Sequence, residues 1–560
     1  CPTSTFMSFR ELLKEHNAHF GNHQGIQQNL ISPCWQNLQS DCRHTNGDCM
    51  VEQTVQTGED GALDHHGETL PPLSKSASRI NVEKIESKRR IASKAGDHPG
   101  VGWFYRMIRG LSRLAMNQQF RTIEVTGQEH IAEDAGILTV GWHTNGLIDP
   151  STIFVTQPKM LVFGGRHDLI TRPIIGPIAS LSGAQPVLRQ AELARGGASS
   201  EAGLRINGKT MLTLAECIAH GHGTALFPEG TSHEDSKMRR LRTGPVRSVI
   251  AANSIAHEKG LPEPHLLPVG LHYRTSWHFR TDAWFEYGSP ISLDGAIHPP
   301  EDRARLMAGE WVEAPAERVN QLRDEVRARL APMTPDSSTW DEHRCWHILG
   351  HLRTLAKGNH LGSWREEVLA AREIRDEIRG GNQALLNLQQ DASQLAKKLH
   401  AAKLDGRSLD AKGLRKPRLS ETLAIFPALL LAIFSAPLTL IGSGLMIFLG
   451  KVLGDRTDEG LDARTTYHLL ASMLGPLLIW PIPVLVLSGT FWIYLPEFRE
   501  WTPLFAVLLP ILFHLSNKVA IRAWDFYVIA RDARRINQLR GHSDGSVIEA
   551  EVTSLLAALK

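Results

Sequence analysis

Apolar positions are spread very unevenly along this chain. Residues 1–95 are rich in Gln, Asn, Ser, Gly and His and show little apolar periodicity. Such a segment buries too little apolar surface to offset chain entropy and is expected to be mostly disordered. The charge-alternating stretch Lys84 to Lys94 predicts a short solvated helix within it. From Trp103 to Phe120 the pattern changes: Trp103, Phe104, Met107, Ile108, Leu111, Leu114 and Ala115 recur at helical spacing, with Arg106, Arg109 and Arg113 between them. An apolar stripe flanked by arginines predicts an interfacial amphipathic helix over 96–120. An ordinary helix docked on a core would show the same pattern.

Residues 121–300 alternate between strand and helix patterns. Ile137 to Val140, Thr224 to Phe227, Leu266 to Leu271 and Ala283 to Tyr287 read as strands. Asn207 to His220 reads as a helix with Asn207 as its cap and Gly221 as its stop. This alternation predicts an α/β domain, a mixed sheet with surrounding helices. Residues 301–420 are charged and helical, with Glu366 to Lys403 expected to form one long helix or a short coiled coil. Beyond them, Leu423 to Leu449 and Leu469 to Leu495 carry no charge, and Thr502 to Ser516 has only His514 as an ionisable group. About 20 apolar residues suffice to cross a bilayer, so 421–520 is expected to be an α-helical membrane region and 521–560 a cytoplasmic helix. Pro427, Pro437, Gly442 and Gly444 interrupt the first run, which is expected to dip into the bilayer and return. The second and third runs are expected to cross as a pair joined at Pro496 to Trp501. Basic residues flank both ends of the region, which places both flanks in the cytoplasm by the positive-inside rule.

Composition narrows the picture little. The 61 Lys and Arg nearly balance the 59 Asp and Glu, which argues neither for nor against an anionic partner; no nucleic-acid partner is expected. Six cysteines in a chain of 560 residues make no disulfide scaffold. Cys1, Cys34, Cys42 and Cys49 lie near His16, His19, His23 and His44, but without a Cys-x-x-Cys pair they predict free thiols in a loose segment rather than a zinc site. The chain begins with Cys1, which a truncated chain, a processed precursor or a lipidated cysteine would explain equally.

Two stretches could carry chemistry. After the first strand comes Gly141-Trp142-His143-Thr144-Asn145-Gly146-Leu147-Ile148-Asp149-Pro150. Acyl transfer from a thioester to an alcohol needs a base at the hydroxyl, which a histidine can supply near neutral pH. A carboxylate on its other ring nitrogen would fix the tautomer, and a thioester needs no protein nucleophile. Asp149 before Pro150 is also an ordinary helix N-cap. The second stretch, Leu226-Phe227-Pro228-Glu229-Gly230-Thr231-Ser232-His233, follows a strand. Its glycine permits close backbone approach and its hydroxyls can bond a phosphate. Lys237, Arg239, Arg240, Arg242 and Arg247 follow it and could bind phosphate or anionic headgroups. Gly203 to Thr210 matches the phosphate-loop pattern, but no buried strand precedes it and the match reads as coincidence.

Taken together, the two stretches resemble the glycerolipid acyltransferase family, which contains glycerol-3-phosphate and lysophosphatidate acyltransferases. Two further motifs of that family can be placed in order: Gly183 to Arg189 between the stretches, and Leu266-Leu267-Pro268-Val269-Gly270 after them. The spacing from His143 to Asp149 is one residue longer than the common pattern and six steps along one helix would separate their faces, so His143 is expected in a loop with Asp149 capping the helix behind it. The longer spacing, His278-Phe279-Arg280, Phe285 to Ile291 and the trailing apolar runs are similar to the fungal-type glycerol-3-phosphate and dihydroxyacetone-phosphate subgroup. The resemblance implies transfer of a fatty acyl group from acyl-CoA or acyl carrier protein to the sn-1 hydroxyl of glycerol 3-phosphate. It gives His143 as general base and Asp149 as its partner. It gives Arg189, Glu229, Gly230, Thr231, Ser232, Arg242 and Pro268 as substrate-binding residues, with backbone donors near Gly230 as candidates for the oxyanion site. No cofactor or metal is implied. The implied partners are the acyl-thioester donor, the phosphate acceptor and a lipid bilayer, with the catalytic domain on the cytoplasmic face. A lysophosphatidate acyltransferase and a catalytically silent membrane scaffold are the alternatives.

Overall fold

The computed structural model describes residues 70, 73, 74, 77–275, 278–456 and 461–560. The cysteine and histidine cluster near the start of the chain, and most of the segment expected to be disordered, lie outside the described residues. Strands β1 (Phe120–Thr126), β2 (Ile137–Gly141), β3 (Leu161–Arg166), β4 (Gln185–Val187), β5 (Gly223–Leu226), β6 (His265–Tyr273) and β7 (Thr281–Tyr287) form one sheet in the order β1-β7-β6-β2-β5-β3-β4. Neighbours run parallel except β6 and β7. This is the expected mixed sheet. β2 and β5 are buried along their whole lengths, as strands covered on both faces must be. The sequence did not announce β1, β3 or β4. Gly164 and Gly165 dilute β3, and β4 is a short edge strand containing Pro186.

Helices cover both faces. α1 (Val82–Lys88), α2 (Gly102–Gln119), α3 (Ile148–Thr156), α4 (Ser200–Ala219) and α5 (Gly244–Lys259) belong to this layer. Leu214, Ile218, Val249 and Ile250 of α4 and α5 pack with Leu138, Val140 and Val162. On the other face Tyr105, Ile108 and Met116 of α2 and Ile153 of α3 pack with Ile137, Val269 and Phe285. The stripe of α2 is therefore docked on a core, while Trp103 and Leu114 stay exposed.

One local expectation is refined and two are corrected. The short helix α1 is exposed along most of its length, but it docks at two points: Ile85 is fully buried against Leu188 and Ile206, and the Arg89 guanidinium donates to the Ile206 carbonyl and the Thr210 hydroxyl. One apolar anchor among charges leaves no periodicity to read. Asn207 caps nothing, because α4 starts earlier with Ser199 as its cap. The same helix runs through Gly203 to Thr210, so the phosphate-loop match forms no loop. Glu366 to Lys403 is two helices, because Gly381 turns the chain at φ 86°. α6 (Trp340–Ala356), α7 (Trp364–Arg379) and α8 (Gln383–Ala401) form a separate layer beside β6 and β7.

The C-terminal part contains three helices long and apolar enough to cross a membrane, Leu419–Asp455, Arg464–Tyr494 and Pro496–Arg540. Their regular segments are α9 (Ile425–Asp455), α10 (Leu461–Leu478), α11 (Pro481–Tyr494) and α12 (Thr502–Arg540), followed by α13 (Ser543–Leu559). The first run was expected to break and return, but α9 continues through Pro437. α12 runs unbroken from the third apolar run to Arg540. α13 then packs Ile548, Val552 and Leu555 against Leu349, Leu395 and Leu399. Nor is the second run only an apolar anchor, because Leu469, Met473 and Leu474 of α10 belong to the core beneath α2 and the sheet.

Candidate active site

In a parallel sheet the loops beyond the carboxyl ends of the strands collect functional side chains. β2 and β5 are paired in register, Val140 beside Leu226, so the two chemistry-bearing stretches leave the sheet side by side. β4 ends two residues before Arg189, also at its carboxyl end. Gly141 lets β2 leave between its neighbours, because a Cβ there would lie 3.0 Å from Val269 and 3.3 Å from the Phe227 ring.

His143 lies in the loop, as expected. Its Nδ1 is 2.9 Å from Asp149 Oδ2, and its ring stacks on Phe227 with centroids 4.2 Å apart. Asp149 is not the helix cap. It lies in the first turn of α3, whose N-cap is Leu147, and turns its carboxylate back over the loop. Oδ2 accepts from the Thr144 and Asn145 amides at 2.8 Å each, and Oδ1 accepts from the Tyr273 hydroxyl at 2.8 Å. The carboxylate is fully buried. This convergence of donors holds it as an acceptor for the histidine N–H and leaves Nε2 as the nitrogen open to a proton. Burial, followed by the Asp149 charge, pushes the Tyr273 hydroxyl well above the usual tyrosine range, so it stays a donor.

Glu229 ties the second stretch to the first. Oε2 accepts from the His143 amide at 3.0 Å, and Oε1 accepts from the Arg239 amide at 2.7 Å and lies 2.7 Å from His233 Nε2. The His233 amide donates in turn to the His143 carbonyl at 3.1 Å. Both oxygens of the buried Glu229 are thus engaged with protein donors, and the residue organises the loops instead of presenting a free carboxylate. Gly230 is exposed with φ 75°, and its amide donates to the Phe227 carbonyl at 3.1 Å. That amide is not free for an oxyanion. Thr231 and Ser232 follow, half-buried.

The cationic side is built around Gln190. Arg242 Nη1 donates to Gln190 Oε1 at 3.1 Å, and the Arg242 side chain passes the face of Gly230. Arg189, next to Gln190 in the chain, bonds Glu192 at 2.8 Å and remains partly exposed. Asn207 of α4 bridges the main chain just before it: its Oδ1 accepts from the Leu188 amide and its Nδ2 donates to the Leu188 carbonyl, each at 2.8 Å. Pro268 is buried within β6 beside Val140, where its carbonyl accepts from the Gly288 amide. It is a sheet residue at this position.

Sequence reasoning missed Tyr273 and Asn207. A tyrosine at a strand end looks like any core aromatic, and Asn207 carried the signal of a helix cap.

The fold and this site define a class of protein before any comparison: an α/β domain with a His–Asp pair and cationic side chains beyond the sheet's carboxyl edge. Residues 122–272 match the family model described as Acyltransferase. The chain is 28% identical over 117 residues to the Saccharomyces cerevisiae protein named glycerol-3-phosphate O-acyltransferase 2, covering 21% of this chain and 14% of that one. It is 37% identical over 76 residues to an uncharacterised acyltransferase of Schizosaccharomyces pombe, covering 14% of this chain and 11% of that one. The matched segments thus span a seventh or less of those relatives' lengths. Among solved structures, the 1-acyl-sn-glycerophosphate acyltransferase of Thermotoga maritima matches with a TM-score of 0.25 at 17% identity, over 40% of this chain and 81% of that one.

Proposed function

We propose that this chain is an O-acyltransferase that moves a fatty acyl group from a thioester to the sn-1 hydroxyl of glycerol 3-phosphate. The observation that carries the reading is the contact between His143 and the fully buried Asp149, made beside the Phe-Pro-Glu-Gly stretch. His143 Nε2 takes the hydroxyl proton as the oxygen attacks the thioester carbon. The new C–O bond replaces the C–S bond, and the departing thiolate recovers the proton from the imidazolium. Acyl-CoA or acyl carrier protein would serve as donor, and the balanced reaction calls for no cofactor. Arg189 and Arg242, linked through Gln190, would hold the acceptor phosphate with bidentate bonds, and Thr231 and Ser232 lie on the same loop as Gly230.

The choice of glycerol 3-phosphate over lysophosphatidate is supported by the likeness to the yeast enzyme and by the longer His–Asp spacing. The apolar helices would hold the enzyme in the bilayer as a multi-pass protein, and their basic flanks favour a cytoplasmic catalytic face. The test is the full chain purified in detergent, given labelled acyl donor and a panel of acceptors. Transfer to glycerol 3-phosphate at the sn-1 position supports the reading. Lysophosphatidate acylated at least tenfold faster, about 1.4 kcal/mol in transition-state binding, would correct the acceptor. No transfer to any acceptor would remove the activity.

A further inference from the structure

The loop that carries His143 is closed from outside by a segment more than three hundred residues away. Thr465 Oγ1, at the start of α10, donates to Asn145 Oδ1 at 2.5 Å, and both residues are 1% exposed. The Leu147 amide donates to Thr466 Oγ1 at 3.0 Å. Leu147 is the N-cap of α3 and has no side-chain cap of its own, so the Thr466 hydroxyl meets one of the donors that every helix start leaves unpaired. On its inner side the same loop gives its Thr144 and Asn145 amides to Asp149. The loop is thus gripped on one side by the carboxylate that holds the His143 ring and on the other by two hydroxyls of α10.

The grip is fixed at a second place. Met473 Sδ lies 3.0 Å from the Ser112 hydroxyl of α2, and Leu469, Met473 and Leu474 are buried in the domain core. α10 therefore cannot slide without moving the loop. It leads through a kink at Trp480 and Pro481 into α11, within the apolar helix Arg464–Tyr494.

We infer that Thr465 and Thr466 are positioning residues for the His143–Asp149 pair, and that the C-terminal helices form part of the catalytic unit as well as an anchor. This rests on the acyl-transfer reading of the site. Small displacements of a positioned group can cost about 100-fold in rate, whereas a lost anchor alone would leave turnover in detergent unchanged.

The test uses the full chain in detergent micelles, with acyl-CoA and the acceptor found for the native protein. Thr465→Val with Thr466→Val keeps shape and removes both hydroxyls. The expected result is a kcat about 30- to 100-fold lower, with KM for both substrates within about twofold, and recovery to within about threefold of native in the Thr465→Ser, Thr466→Ser protein. A double valine variant with native kcat overturns the inference, as does a serine variant as impaired as the valine one, since that would make the contact mere packing. If the double variant does not fold, Thr466→Val alone decides: faster hydrogen exchange at the Leu147 amide with lowered kcat supports the inference, and native values of both overturn it. Native protein inactive with every acceptor would instead defeat the acyl-transfer reading.

Discussion

His143 uses its main chain and its ring for separate purposes. Glu229 and His233 fix the main chain, and Asp149 and Phe227 fix the ring. Because the ring is outside the anchoring bonds, His143→Ala is expected to leave the thermal midpoint within a few degrees of native while lowering turnover about 100- to 10,000-fold. Near-normal turnover in that variant would end the mechanism. Asp149→Asn is expected to cost about 100-fold or more, since an amide can present its NH2 where His143 Nδ1 needs an acceptor. Tyr273→Phe removes one donor from Asp149 and is expected to cost less than the Asn change, about tenfold. A phenylalanine variant equal to native would mean that the hydroxyl merely fills space. At this scale the site was legible where its residues fall in contiguous stretches. His143, Asp149, Glu229 and Gly230 stand in those stretches and the fold brings them together, with both Glu229 oxygens taken by protein donors. Tyr273, Asn207, Thr465 and Thr466 were not legible, because each reaches the site through tertiary packing that no local spacing encodes.

Among elements, the strands with unbroken apolar runs were legible, and those interrupted by Gly164, Gly165 or Pro186 were not. The misread helix start on α4 has a consequence for the site. An asparagine that pairs both the amide and the carbonyl of Leu188 acts like a short strand bridge, and it sets the direction in which the chain delivers Arg189. If Arg189 holds the acceptor phosphate, loosening this bridge should act mainly on acceptor binding. Asn207→Ala is expected to raise acceptor KM about tenfold with a smaller change in kcat, the pattern of a lost ground-state contact. Steady-state kinetics with varied acceptor at saturating donor would show it. An equal fall in kcat with unchanged KM would mean that Leu188 and Arg189 serve the chemical step instead. The Glu366 to Lys403 segment was misread for a plainer reason: periodicity continues across Gly380 and Gly381, and a turn between two antiparallel helices does not disturb it.

For the whole molecule, the boundary between sheet and helical layer makes a prediction about acid. His343 and His347 of α6 lie against Trp346 and Trp364, His347 stacked on Trp364 with ring centroids 5.2 Å apart. His343 Nδ1 and His347 Nε2 are buried without hydrogen-bond partners among the described residues. Burial, helped by the neighbouring His351 and Arg274, brings His347 down to about 3. Burial, helped by His347 and Arg344, holds His343 well below the usual histidine range. An unfolded chain takes up protons at these sites near pH 6.5, while the folded protein refuses them, so the unfolded state binds more protons as the pH falls. The stability these residues allow is complete above about pH 6.5 and declines from there toward pH 3. The carboxylates of the same boundary lose their share later. Asp282, though burial opposes it, is brought to about 2 by Arg121 and Arg274, and Glu286, likewise buried, to about 2 by His272 and Arg372. Their contribution falls only below about pH 4.5. Between pH 6.5 and 4.5 the histidines should therefore set the slope. The full chain in detergent is expected to lose several degrees of thermal midpoint across that window. His343→Phe with His347→Phe keeps the aromatic packing, removes both proton sites and should flatten the curve. An unchanged slope in this variant would locate the acid sensitivity elsewhere.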